Sequence, residues 1–546
     1  MPFRLDATRT LDEQIEEQGF VPDVVFIELF GATALPRDIS RSRRRLAAYC
    51  IDTPLNEFWL VPLMRLFDHV YVDQLASVSR FRQGGVDARW LPLCADATDF
   101  RTPVEKRHLI SFVGRTTAHR TKRNNLLRHL GEHFPVNVVQ GVSTTEMQDI
   151  FAASHMVLNE NFFSGLNLRF FHALASGSLL LTERRGYGVS RHFREGRHYL
   201  GYAPGDVVSV IRAVAQGTKD AARIAACGQE ECARRHTSAH RAREVLRDMT
   251  GAGLGAGNAT ARATRPLCAR RLDEAEAKYL YALRFGGHVE ESVAYLEQIA
   301  ATEGKASGND GEALRAAYLL GSIRLRQDRA EAGAALLERV AAAGTGPIPQ
   351  SDQQYARQSS GQPGRQRGMK PAEPPPGTKP EMDAVLKLLL LHAEDGRRLA
   401  PLRQLTTALL HAGRIRKQCL PYLSALKDGQ DARYNACMLA CEILYDAGKR
   451  HHLGFLRQEP ERFPDTALEY ALLAFGAKPT TEALDAIIRC TAKAGIGPEA
   501  LPFIRQATLV GVASDAQIAL SASLALEYYD FSFSQMAVRA LKQTLT

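Results

Sequence analysis

Between residues 20 and 250 the chain alternates short runs of consecutive apolar residues with stretches whose apolar positions recur every three or four. The runs are "DVVFIELF", "RLAAYCID", "HVYVDQ", "ARWLPLC", "HLISFVG", "VNVVQG", "HMVLNE" and "GSLLLTE". Such a run suits a strand buried on both faces, and a helical stretch between two runs is a parallel crossover. The pattern predicts a doubly wound α/β region whose ligands bind beyond the carboxyl ends of its strands. The polar, proline-bearing "DATDFRTPVEKR" at 96–107 interrupts it just before a fresh strand. This places a boundary between one α/β domain over 1–103 and a second over 104–250.

After Thr250 the strand pattern stops. "GAGLGAGNATARAT" has no periodicity, so 251–265 reads as a flexible linker. From there helical periodicity takes over: the stretches beginning at Tyr279 and Tyr318 superpose at an offset of 39 residues. They share large residues, a small residue, a polar turn, and then Ala/Gly where two helices must touch. This resembles tetratricopeptide hairpins, whose unit is about 34 residues, with a longer connection here. Such hairpins are assigned to 266–345. Residues 346–381 are rich in Pro, Gln, Gly and Ser and nearly free of aliphatics, so disorder is expected. A helical-repeat domain is assigned to 382–546.

Composition narrows the classes. The 546 residues are 45% hydrophobic and 24% charged, the balance of folded multidomain proteins. A formal charge of +9 is spread along the chain, and no Lys/Arg tract is interleaved with aromatics, so phosphorylated small molecules fit better than nucleic acid. The nine cysteines lack paired zinc-ligand spacing and suit reduced thiols in cytoplasm. The N-terminus has no apolar core, and "VLKLLLL" is far short of the ~20 residues of a membrane span.

Two segments carry chemistry. In "ISFVGRTTAHRTKRNNLLRHL" (110–130), a strand leads through Gly114 into a basic helix. Gly114 permits close backbone approach, and Arg115, Arg120, Lys122 and Arg123 lie where a helix N-terminus adds positive charge, a combination that favours diphosphate. The competing reading is a β–α turn with a solvated basic helix face. In "SGLNLRFFHALASG" (164–177), the glycine and alanine spacing is that of the nucleotide-sugar motif E-G-x-G-x-x-x-x-E-A-x-A-x-G. Ser164 and His172 stand where that motif has its two acids; Gly165 and Gly177 are retained.

Together with "YCIDTPLNEFW", "FDHVYVDQ", "GVDARWLPLCAD" and "FREGRHYLGYAPGDVVSVIRAV", these segments resemble the bacterial spore-maturation, CgeB-like glycosyltransferases of the GT-B fold over residues 20–250. In that family the motif runs N-x-R-x-F-E-A, so Asn167 and Arg169 are kept and the glutamate becomes His172. The resemblance implies a pair of Rossmann-like domains, the second holding a nucleotide-diphosphate-sugar donor. It also implies no metal and no cofactor, the donor being a substrate. Only about twenty residues precede "PDVVFIELF", so the first domain is expected to be shortened or to open further upstream.

Arg169 offers a fork for two phosphate oxygens. A neutral His172 can hold one ribose hydroxyl but not chelate a diol, and when protonated it would favour phosphate; the alternative is a histidine packed on Phe170 or Phe171. Asn159 and Asn161 close "HMVLNEN" at a strand's carboxyl end. Asp52, after the strand "LAAYCI", is the first candidate for a general base, with Glu57 or His69 behind it; a capping aspartate is the other reading. The expected activity is a hexosyl-type transfer to a protein or envelope glycan, with the helical half recruiting a protein. The alternative is a catalytically impaired scaffold.

Overall fold

A computed structural model describes residues 3–117, 120–161, 165–184, 186–217, 220–250, 265–286, 289–301, 310–343, 380–393, 399–404, 406–407, 417–428, 431–449, 464–494 and 496–544. These divide into two compact units, one taking the described residues up to Arg265 and those after Gly495, the other those from Pro266 to Ala494. The linker over 251–265, apart from Arg265, lies outside the described residues, as does 346–381 apart from Pro380 and Glu381, which open a helix.

In the first unit, β1 (Val24–Leu29), β2 (Arg45–Cys50), β3 (His69–Val72) and β4 (Ala88–Trp90) form a parallel sheet in the order β1-β2-β3-β4. α1 (Leu11–Glu16) precedes it; α2 (Thr53–Met64) and α3 (Leu75–Gln83) are its crossovers. A second parallel sheet, ordered β6-β5-β7-β8-β9, comprises β5 (His108–Val113), β6 (Val136–Val139), β7 (Ser154–Asn159), β8 (Leu179–Glu183) and β9 (Leu200–Tyr202). Its helices are α4 (Thr121–Gly131), α5 (Thr144–Ala152), α6 (Leu168–Ala175), α7 (Val207–Ala215) and α8 (Ala221–Arg235). The two lobes are Rossmann-like, as the GT-B resemblance implies. α9 (Ser238–Thr250) returns to the first lobe, where Val245 and Met249 pack with Ala47, Tyr71 and Leu91 and Asp248 pairs with Arg89 at 2.7 Å.

Local sequence accounts for these elements. Leu46, Ala47, Ala48 and Cys50 of β2 are all fully buried, so the run needs no polar alternation. α5 opens on a capping box in which Ser143 and Glu146 satisfy each other's backbone amides. α6 is capped by the Asn167 side chain, which accepts from Phe170 N at 2.9 Å.

The last helices, Leu501–Leu509, Asp515–Glu527 and Phe531–Thr544, belong with the α/β unit, whereas the sequence pattern had placed all of 382–546 together. The reason is Tyr529. It turns between the last two helices with φ +54° and sits 1% exposed in the core of the second lobe, among Ile110, Leu158, Leu181 and Tyr202. Phe531 packs beside it, and Asn125 Nδ2 donates to Tyr528 O at 2.9 Å.

The second unit is helical throughout its described residues, from Leu267–Phe285 to Thr481–Ala494. Asp310–Arg326 and Ala330–Ala343 form a hairpin whose small residues are needed: a methyl on Gly321 would lie 2.9 Å from Leu337 Cγ, and one on Gly333 2.9 Å from Leu325. Asp465 gathers the Lys387 ammonium, the Arg326 guanidinium and the Tyr318 hydroxyl in this unit's interior.

Candidate active site

A cleft of about 1030 Å³ opens between the carboxyl ends of the two sheets of the α/β unit. From the second lobe it is lined by Arg115, Arg120, Arg123, Arg169, Glu160 and Asn161 together with the loop Gly165–Asn167. The first lobe contributes Asp52, Gln74 and an apolar wall that includes Phe26, Tyr49 and Leu55. Arg115 and Arg169, distant in sequence, therefore share one wall.

The arginine cluster is built from β5, α4 and α6. Arg169 Nε donates to Val113 O at 3.0 Å, and its guanidinium lies 4.5 Å from the Phe112 ring centre. A methyl on Gly114 would fall 2.4 Å from Arg169 NH2, so this glycine makes room for the arginine. Arg123 donates to Arg115 O at 2.7 Å and pairs with buried Glu160 at 2.8 Å. Burial lowers the pKa of Arg169 to about 10, and the charge of Arg123 adds to the shift; Arg120 is lowered for the same two reasons. Arg169 and Arg120 remain cations at neutral pH, and an anion in the cleft would offset the repulsion within this cluster.

Beneath the arginines lies a ring of amides. Asn159 Nδ2 donates to Asn161 Oδ1 (2.9 Å) and Thr182 Oγ1 (3.1 Å), and Asn167 Nδ2 donates to Asn159 Oδ1 (3.0 Å) and Asn161 Oδ1 (2.9 Å). Asn161 and Asn167 reach the cleft surface, while Asn159 is fully buried and holds the ring together. Lys122 instead pairs with Glu183 at 2.5 Å and does not line the cleft. Ser164 lies outside the described residues.

Two more expected site residues stand elsewhere. His172 is buried one turn further along α6 and faces Asp99, with Nε2 3.5 Å from Oδ2. Burial lowers its pKa, which Asp99 opposes. Gly177, with φ +73°, ends α6 against Gln229, whose amide donates to Ala175 O at 2.8 Å. It is a helix terminator in a conformation that favours glycine.

Asp52 is one of the first lobe's ionisable groups that line the cleft, with Glu28. It precedes α2 in a left-handed conformation (φ +54°, ψ +39°), its side chain makes no capping bond, and its carboxylate lines the cleft. Aspartate is among the side chains that tolerate this region, and Asp38, Asp328 and Asp431 adopt it too. Burial raises its pKa to about 6, with neighbouring Asp73 adding and Arg120 opposing. Glu57 is taken up by Ser77 (2.5 Å) and Arg80 (2.8 Å), and His69 by Arg45 (2.8 Å); neither lines the cleft.

Sequence reasoning passed over Glu160, although it sits between the two chosen asparagines in "LNEN", and Asp73 and Gln74, which end the β3 run "HVYVDQ". Position at a strand's carboxyl end was the available signal for all three.

Residues 105–247, nearly the whole second lobe and most of α9, match a family described as glycosyl transferase-like. Among solved structures the chain is similar to the crystal structure of Anabaena Alr3699/HepE in complex with UDP and glucose, at 13% identity over 44% of this chain and 80% of that one, with a TM-score of 0.36. It is also similar to the crystal structure of a GtfA/B complex, at 11% identity over 46% of this chain and 60% of that one, with a TM-score of 0.29. No curated protein matches the chain in sequence.

Proposed function

We propose that the chain is a metal-independent, CgeB-like glycosyltransferase that moves a hexose-type sugar from a nucleoside-diphosphate donor to a hydroxyl of a protein or cell-envelope glycan. The observation that carries this reading is the single cleft in which Asp52 of one lobe shares a volume with Arg115, Arg120, Arg123 and Arg169 of the other. The glycosyl transferase-like match over the arginine-bearing lobe supports it. Nine cysteines outside any disulfide, and no helix long and apolar enough to cross a membrane among the described residues, are compatible with action in the cytoplasm.

In this mechanism the pyrophosphate lies against the guanidiniums and the amides opening α4. The bond between the anomeric carbon and the diphosphate oxygen breaks, and its electron pair leaves with the nucleoside diphosphate. The arginines stabilise the growing charge in place of a cation. The acceptor oxygen bonds to the anomeric carbon as its proton passes to the Asp52 carboxylate. Asn161 and Asn167 offer hydrogen bonds to the sugar or ribose, the task that His172 does not perform from its position beside Asp99.

The orientation of His172 favours a second reading, an impaired transferase fold acting as a scaffold through its helical half. One experiment separates the two. Thermal-shift titration with UDP-, GDP-, TDP- and ADP-sugars is expected to raise the melting temperature for one base, by an amount set by the ratio of ligand to Kd. Hydrolysis or transfer of that sugar, persisting in EDTA and lost in Arg169→Ala, is then expected. No stabilisation by any donor would end the transferase reading; stabilisation without turnover would leave the scaffold.

A further inference from the structure

The reading of Asp52 as base and of the Gly165 loop as donor contact leaves open what holds these two pieces, carried by different lobes, in register. We propose that Asp73 and Gln74, at the carboxyl end of β3, are positioning residues that lock Asp52 in its left-handed conformation and tie it to the donor loop of the second lobe.

Asp73 is fully buried, and its carboxylate is engaged on both oxygens. Oδ2 accepts from Asp52 N at 2.9 Å and from Gln74 Nε2 at 3.1 Å. Oδ1 accepts from Thr53 N at 3.2 Å and Thr53 Oγ1 at 2.6 Å. The backbone amide of Asp52 thus donates into this carboxylate, which holds the residue in its left-handed conformation. Trp90 Nε1 donates to Asp73 O at 3.0 Å, fixing the support from the neighbouring strand.

Gln74 carries the link across. Its amide also donates to Leu166 O at 3.0 Å, a buried hydrogen bond between residues 92 apart in sequence. Its Oε1 lies 1.9 Å from where a β-carbon on Gly165 would sit. A side chain at this motif glycine would displace the Gln74 amide of the opposite lobe, which fills the space beside it. A donor pressing on this loop is felt by Gln74, and through Asp73 by the residue that takes the acceptor's proton.

The charged groups that act on Asp52 are Asp73 from its own lobe and Arg120 from the other, while Glu28, Arg115 and Glu160 line the same cleft. Of these, Asp73 is the one that both contacts its backbone and raises its pKa, so removing the Asp73 charge has a defined sign.

The test uses the full chain with the donor sugar found by the thermal-shift panel. In Gln74→Ala, the donor-induced shift in melting temperature is expected to stay near that of the wild type while kcat falls by about 10- to 100-fold, the effect of a misplaced group. In Asp73→Asn, the acid limb of the kcat profile is expected to move to lower pH as kcat falls. Gly165→Ala is expected to lower the melting temperature, and Gly165→Ala combined with Gln74→Ala to recover most of that loss. Should the single variant fail to fold, the recovery in the double variant still reads the contact. Unchanged kcat in Gln74→Ala, an unmoved acid limb in Asp73→Asn, or additive effects of the two Gly165 and Gln74 changes would each overturn the link. Retained transfer in Asp52→Asn would instead overturn the base assignment, leaving the Gly165 coupling to be read from the melting temperatures.

Discussion

At the scale of the residue, Asp52 shows the tension between folding and chemistry. Its folded pKa of about 6 lies above the ordinary carboxylate value, chiefly because burial disfavours the ion. The sign follows from linkage. A carboxyl with a raised folded pKa supports the fold fully below its unfolded pKa, and that support is lost as pH rises through about 6. At pH 7.5 the ionised Asp52 therefore works against the folded state while being the form a base requires. Asp52→Asn is expected to melt higher than the wild type at pH 7.5 and no higher at pH 4, while transfer falls by at least ~100-fold. Melting curves at the two pH values, with an activity assay at the upper one, check both halves.

At the scale of the element, the eight runs read as strands all appear as strands. Burial explains β2, β3, β7 and β8, whose covered faces write unbroken apolar segments, whereas edge strands β1 and β6 are alternately exposed or only partly buried and were legible by their β-branched residues. β9 escaped because Leu200–Tyr202 is three residues long, with a glycine at its centre. In α6 the motif frame was legible and its pointing was not. Arg169, in the first turn, is long enough to reach back to Val113, whereas His172 lies a turn deeper, about 4.5 Å along the axis, and meets Asp99. Spacing shows which residues share a helix face but not how far along it the cleft extends. Gly177, kept at its motif place, ends α6 and does not line the cleft, since one residue type serves both helix ends and ligand loops. Gly177→Ala is expected to lose about 1 kcal/mol in denaturant unfolding, from its positive φ and the nearby Gln229, with donor affinity unchanged.

At the scale of the whole molecule, the chain leaves the α/β unit after Arg265, forms the helical unit, and returns to complete the second lobe's core with Tyr529. The helical half therefore cannot be cut away to isolate the α/β unit: removal of everything after Thr250 also takes Tyr529 and Phe531. Tyr529→Ala is expected to cost about 3–5 kcal/mol, as large core aromatics do. The Tyr529 hydroxyl is buried with no hydrogen-bond partner among the described residues, so Tyr529→Phe is expected to be neutral or slightly stabilising. Equilibrium unfolding of the two variants checks both. The same detour sets a schedule for biosynthesis. At roughly 5–20 residues per second, the nascent second lobe waits on the order of 15–55 s for its last aromatic plug to leave the ribosome. Through that interval its unfilled interior is a natural client for a holding chaperone.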